Sequence, residues 1–283
     1  MARSIYIASP NAGTGKSTVA LGLVSCLTKV VAKVGVFRPF VESREGDAFL
    51  SLLLNRAGST TPAEQCVGAT WDEFHADPEE ALARIVDAYR ALAREHDVVI
   101  IDGSDFTDVA GNPELALNAR VAANIGVPVL LVVSGQNDVE DVVASVEVSM
   151  AEIADNHART VAVVANKCLP ETRQAIGEAL TAIEGITSTT LPEVPLLAAP
   201  VVREVLDAVE GTLIAGDETL LDREAESVLV CAMDVSHVLE RLTAGQLAIV
   251  PADRSAMLIS LMAAQASSSF PILSGLVLNG GFE

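Results

Sequence analysis

Over its first 190 residues the chain alternates between short runs with almost no polar position and longer stretches whose apolar residues recur every three or four. The first run begins at Ser4; others fall at 34–40, 98–101, 128–133 and 160–165, rich in Val, Ile and Leu. A strand that is apolar throughout is buried on both faces, as in a parallel sheet covered by helices. The stretches 16–31, 47–57, 78–95, 138–156 and 171–184 carry helical spacing, and a further helix is expected to start at Pro113. Asp77-Pro78-Glu79-Glu80 supplies a cap, a first-turn proline and two acids beside the positive end of a helix dipole. Together these patterns predict a doubly wound α/β domain with a parallel sheet over 1–192.

Three prolines, Pro192, Pro195 and Pro200, fall between 191 and 200 and are expected to form a linker. Beyond it the predicted elements shorten: helices at 201–209, 236–242 and 253–266, strands at 212–215, 228–231, 247–250 and 276–278. They predict a second, smaller α/β domain over 200–283. A turn pattern directly after a strand at the end raises the expectation that the native chain continues past Glu283.

The strongest chemical signal lies between the first strand and the first helix, where Gly13-Thr14-Gly15-Lys16-Ser17-Thr18 opens the helical pattern. Without a Cβ, Gly13 and Gly15 let backbone N–H groups approach a phosphate, and the helix N-terminus adds partial positive charge. Lys16 adds a full charge beside the phosphates, and the Ser17 hydroxyl can ligate Mg²⁺. The expected ligand is an ATP-like nucleotide with Mg²⁺. Pro10 stands where the full phosphate-loop pattern has its first glycine and removes one N–H, so weak binding is expected.

Ligands of open parallel sheets bind beyond the carboxyl ends of the strands. Asp102 ends the run 98–101, where a carboxylate can hold Mg²⁺ through water, or serve only as a turn residue. Asp47 follows the second strand and is either a second metal-side carboxylate or a plain helix cap. Arg38 closes that strand and can fork onto a carboxylate or phosphate, or lie on the surface. Asn166 and Lys167 follow the fifth run, where an amide can read a purine edge and a lysine stem can lie along the base. No Asp follows two residues later, so guanine selectivity is not expected. Asp105 and Phe106 would shape the pocket, while Asn118, Arg120 and Asn124 are assigned no chemistry.

Composition narrows the partners. The chain has 283 residues, 50% of them apolar, and a formal net charge of −20. That charge repels nucleic acid and anionic membrane surfaces. No apolar run approaches the ~20 residues that span a bilayer. The four cysteines lack metal-type spacing, and His75, His96, His157 and His237 are scattered, which disfavours a metal cluster or a Ser-His-Asp triad. A cytoplasmic setting is expected.

SIYIASPNAGTGKSTVALGL, KVGVFRPF, IIDGSDFTDVAGNPELALNARVAANIGVPVLLVVSG and VVREVLDAVEGTLIAGDETLLDRE resemble the N-terminal part of long-form bacterial, above all actinobacterial, phosphate acetyltransferases. The resemblance implies a P-loop domain similar to dethiobiotin synthetase, then a DRTGG module. It also implies a C-terminal acetyltransferase domain outside this chain, a homo-oligomer, and a regulatory role answering to a metabolite or nucleotide effector. The literal Asp-Arg-Thr-Gly-Gly string is absent; Asp253-Arg254 and Asp222-Arg223 are partial echoes. Against dethiobiotin synthetase, Arg38 replaces a lysine that contacts phosphate and carbamate, and Asp102 replaces a glutamate. Two other functions remain open at this point: a free-standing ATP-dependent carboxylase of the dethiobiotin synthetase type, and a partition or cell-division ATPase. Asn11, standing where the latter carry a signature lysine, disfavours that one.

Overall fold

Seven strands form one parallel sheet in a computed structural model, which describes residues 2–104 and 114–280. The strands are β1 (Arg3–Ala8), β2 (Val34–Val41), β3 (Val67–Thr70), β4 (Val98–Asp102), β5 (Val129–Ser134), β6 (Thr160–Cys168) and β7 (Thr187–Pro192). The helices between them are α1 (Lys16–Leu27), α2 (Ala48–Ala57), α3 (Trp71–Ala76), α4 (Pro78–Glu95), α5 (Glu114–Ile125), α6 (Val139–Asp155) and α7 (Arg173–Thr181). These elements belong to the first of two compact units, Met1–Glu193 and Val194–Glu283.

Strand order is β3-β2-β4-β1-β5-β6-β7. The chain therefore fills one side of β1 first and then crosses it to build the other. Such a reversal opens a crevice at the carboxyl ends of the central strands. Register brings Ile7 beside Asp102 and Ser134 beside Asn166, so the ends of β1, β4, β5 and β6 share one edge. The predicted apolar runs are the central strands: Ile7, Val36, Ile101, Val129 and Val132 are fully buried. Asp77 caps α4 by accepting from the N–H of Glu79 and Glu80 at 3.1 and 3.0 Å, with Pro78 in the first turn.

Several expectations need correction. α1 ends at Leu27, short of 31, where the N–H groups of Lys29 and Val30 bond three residues back, to the Cys26 and Leu27 carbonyls, and tighten the last turn. β3 and α3 were not foreseen. Gly68 interrupts the apolar pattern of β3, yet a Cβ there would sit 2.6 Å from both Ile85 Cγ1 and the Pro39 carbonyl. β7 was also missed and ends inside the proline-marked segment. It is polar because it pairs only with β6, and edge strands tolerate a terminal proline. The expected helix start at Pro113 lies outside the described residues.

The second unit contains α8 (Val202–Ala208), β8 (Ser227–Val230), α9 (Val235–Leu239), β9 (Gln246–Pro251), α10 (Ser255–Ala266) and β10 (Gly275–Asn279). Its parallel sheet has the order β10-β9-β8. Ala248 and Val250 of β9 pack with Met257, Leu261 and Ala264 of α10 in a separate core. Residues 212–215 are not a strand, contrary to expectation; the run is flanked by Gly211 and Gly216, the latter at φ 117, and finds no sheet neighbour. Arg254, in the partial echo of the module's name string, donates from Nη1 to the carbonyls of Cys231, Ala232 and Met233 at 2.9–3.2 Å. It thereby ties the end of β8 to the start of α10.

Candidate functional site

The loop between β1 and α1 is shaped by two left-handed glycines, Gly13 at φ 76 and Gly15 at φ 80, the second serving as the N-cap of α1. Ser9 and Thr14 brace it from within, their hydroxyls 2.8 Å apart, while Ser9 Oγ also donates to the Asn11 carbonyl at 2.7 Å. From β6, Asn166 Nδ2 donates to the Thr14 carbonyl at 2.8 Å and Lys167 Nζ to the Gly13 carbonyl at 2.7 Å. The Asn11, Gly13 and Thr14 carbonyls are thus taken up by side chains. Among the described residues, no hydrogen bond engages the backbone N–H of Ala12, Gly13, Thr14 or Gly15. With the Gly13 and Thr14 carbonyls held by Lys167 and Asn166, these four N–H groups lie at the start of a helix, where an anion is favoured.

Asn166 and Lys167 thus both reach the loop backbone, at the Thr14 and Gly13 carbonyls. Lys167 reaches Gly13 from a left-handed backbone, φ 60, which costs a non-glycine residue about 1 kcal/mol. Ser17 and Thr18 sit in the first turn of α1, Ser17 half-buried and Thr18 exposed.

Lys16 is 2% exposed and turned toward the sheet. Its Nζ donates to Asp102 Oδ1 at 2.6 Å and to the Gly103 carbonyl at 2.5 Å. Asp102 Oδ2 lies 3.4 Å from Arg38 Nε. Arg38 Nη1 donates to Asp47 Oδ2, and Asp47 Oδ1 caps α2 by accepting from the Leu50 N–H at 2.8 Å. The two carboxylates foreseen as metal-side groups are each in contact with a cation. Among the described residues no group of three or more His, Cys, Asp or Glu side chains could hold a metal ion. The donor set fits an anion, which the loop N–H groups would receive.

Beyond Arg38, at the ends of β2 and β3, lies a cleft of about 290 Å³ whose walls include Arg38, Phe40, Asp47, Trp71 and Ser104. Phe40 stacks on Trp71 with ring centroids 4.7 Å apart, and Phe74 meets Phe40 edge-on at 5.2 Å. This aromatic wall escaped the sequence reading because the short β3–α3 segment did.

Asn118 was also missed. Its Oδ1 accepts from Tyr6 Oη at 2.6 Å and from the Ser104 N–H at 3.0 Å, fixing the backbone just past Asp102. A Cβ at Gly103 would fall 2.6 Å from that oxygen. Burial, reinforced by the charges of Asp102 and Glu114, holds the Tyr6 phenol well above its ordinary pKa, so it remains a donor. A fully buried Asn on a helix gives no pattern that sequence alone could flag. Asp105 and Phe106 lie outside the described residues.

A doubly wound parallel sheet with a left-handed glycine loop and a lysine at the start of the following helix defines a P-loop α/β protein. The chain belongs to the family whose model, described as an AAA domain, matches residues 3–206; a DRTGG domain model matches residues 204–283. Over its whole length it is similar to phosphate acetyltransferases. It is 27% identical over 298 residues to that of Nitratidesulfovibrio vulgaris, and 25% identical over 296 residues to that of Synechocystis sp.. In both cases the match covers 100% of this chain and 42% of the relative, so the chain spans about two-fifths of their length. A plasmid partition protein of Borrelia burgdorferi bound to AMPPNP shares 15% identity at a TM-score of 0.49, over 77% of this chain and 93% of that one. So loose a likeness says nothing about function.

Proposed function

We propose that this chain is the regulatory and oligomer-forming N-terminal region of a phosphate acetyltransferase, and that its phosphate loop binds a nucleotide-like effector. The observation that carries the reading is the end-to-end alignment with phosphate acetyltransferases that leaves more than half of each relative outside the match. The full enzyme would interconvert acetyl-CoA plus phosphate with acetyl phosphate plus CoA, and the transfer step would belong to the part not represented here. The ion-paired Lys16 supports control in place of turnover, because binding must first draw the lysine from Asp102. Regulation then requires that the effector bind two states of the enzyme with different affinity.

The nucleotide-binding residues in this reading are Gly13, Thr14, Gly15, Lys16, Ser17 and Thr18, with Arg38 beside the phosphates and Asn166 and Lys167 bracing the loop. Mg²⁺ would arrive with the nucleotide and neutralise phosphate charge; Ser17 would hold it, and Asp102 and Asp47 would be open to it only once Lys16 and Arg38 had left them. The carboxylase reading is disfavoured because Arg38, at the position that would meet carbamate, is committed to Asp47.

Two measurements test the proposal. The purified chain is expected to show no acetyl transfer between acetyl-CoA and phosphate; turnover would refute the division of labour. Calorimetry with ATP, ADP and NADH should give heats that Lys16→Ala abolishes. Equal heats from both proteins would remove the loop as the binding site.

A further inference from the structure

Four charged side chains form a row from the phosphate loop to the start of α2: Lys16, Asp102, Arg38 and Asp47. Three links in this row are made: Lys16 to Asp102 at 2.6 Å, Arg38 Nη1 to Asp47, and Asp47 to the Leu50 N–H at 2.8 Å. One is not. Arg38 Nε is buried and makes no hydrogen bond among the described residues, although Asp102 Oδ2 is only 3.4 Å away. A buried donor left without an acceptor is costly, and this one is held back by the guanidinium's grip on Asp47 and its seat 5.8 Å over the Phe49 ring.

We propose that the row is a two-position relay in which Arg38 carries the state of the phosphate loop to the N-terminus of α2. The inference rests on the anion-site reading of the loop, since an entering phosphate is what would draw Lys16 away. Asp102 is 1% exposed, and losing the ammonium in direct contact with it favours any other cation within reach. Arg38 Nε needs to advance only about 0.5 Å to reach ordinary hydrogen-bond distance. That advance draws Nη1 from Asp47, whose second oxygen then no longer fixes its rotamer. The cap on Leu50 loosens. Arg38 and Asp47 both line the 290 Å³ cleft, so loop occupancy is also written into the cleft's shape.

The relay can be tested without ligand by amide hydrogen exchange at Leu50 in the whole 283-residue chain. Lys16→Met mimics the departed ammonium and is expected to speed exchange at Leu50 by about fivefold or more, the range set by a weakened cap. Asp102→Asn removes the carboxylate that attracts Arg38 and should leave that exchange at or below the wild-type rate. The double variant Lys16→Met/Arg38→Gln should match Arg38→Gln alone. Should Lys16→Met not fold, Lys16→Gln keeps a donor in the slot and should shift exchange in the same direction. An unchanged Leu50 rate in the Lys16 variants overturns the relay. So does an equal rise in Asp102→Asn, which would mean general loosening. Heats with ATP report on the loop separately: a relay seen in Lys16→Met with no heat from any nucleotide would sink the ligand and leave the relay standing.

Discussion

Gly15 is where the loop's geometry is most exacting. Its φ of 80 disfavours any side chain, and a Cβ would stand 2.4 Å from Asn166 Nδ2. Gly13 has the same left-handed backbone, φ 76, with nothing within 4 Å of its would-be Cβ. Gly13→Ala should therefore cost only backbone strain, about 1 kcal/mol, and Gly15→Ala that strain plus the lost bond from Asn166 to Thr14, about 2–3 kcal/mol in all. Urea denaturation of both variants checks this; equal costs would mean that Asn166 does not brace the loop. The glycine-lysine spacing and the placement of Asn166 and Lys167 at a strand end were legible in the sequence. Their partners were not, because the bond from Asn166 to the loop closes a separation of 152 residues. For the same reason Arg38, Asp47 and Asp102 were singled out one by one, and their joining into a row could be read only from the folded sheet.

α3 is a short helix held by its ends. Thr70 caps it through the Glu73 N–H, and Glu73 Oε2 returns the bond to the Thr70 N–H at 2.9 Å, while Arg44 and Arg84 close on the same carboxylate at 2.8 and 3.1 Å. The bond from the Thr70 N–H foremost holds the Glu73 carboxyl below its ordinary 4.5; burial opposes it, and the bond and charge of Arg44 and the charge of Arg84 add to the lowering. A depressed acid pKa stabilises the fold above the unfolded value, and that share disappears as pH falls through the lower folded value. Wild type should thus exceed Glu73→Gln in stability by about 1 kcal/mol at neutral pH, with the gap narrowing below pH 4.5. A gap that stays constant on acidification would mean that the carboxylate's charge contributes nothing. At this scale the sequence was clearest where the periodicity was longest, as in α4 with its Asp77 cap. It was least clear for β3, four residues with a glycine required by close packing, and for β7, whose edge position lets it be polar.

The described residues form two separate apolar cores, one running from Tyr6 to Leu180 and a smaller one from Cys231 to Leu273. Units with their own cores unfold with their own cooperativity, so a calorimetric scan should resolve two transitions. Anything that binds only the folded first unit raises only its transition, by RT ln(1 + [L]/Kd), which is about 2.7 kcal/mol at a hundredfold excess over Kd. For a unit of this size that amounts to several degrees. ATP should therefore shift the transition of the unit spanning Met1–Glu193 and leave that of Val194–Glu283 in place. Lys16→Ala should remove the shift. The net charge of −20 opposes compaction in both units, so added salt should raise both midpoints, which separates charge screening from binding. A scan in which ATP moves neither midpoint at concentrations that saturate other phosphate loops would leave the loop as scaffold. A shift that survives in Lys16→Ala would place the bound nucleotide away from the glycine turn.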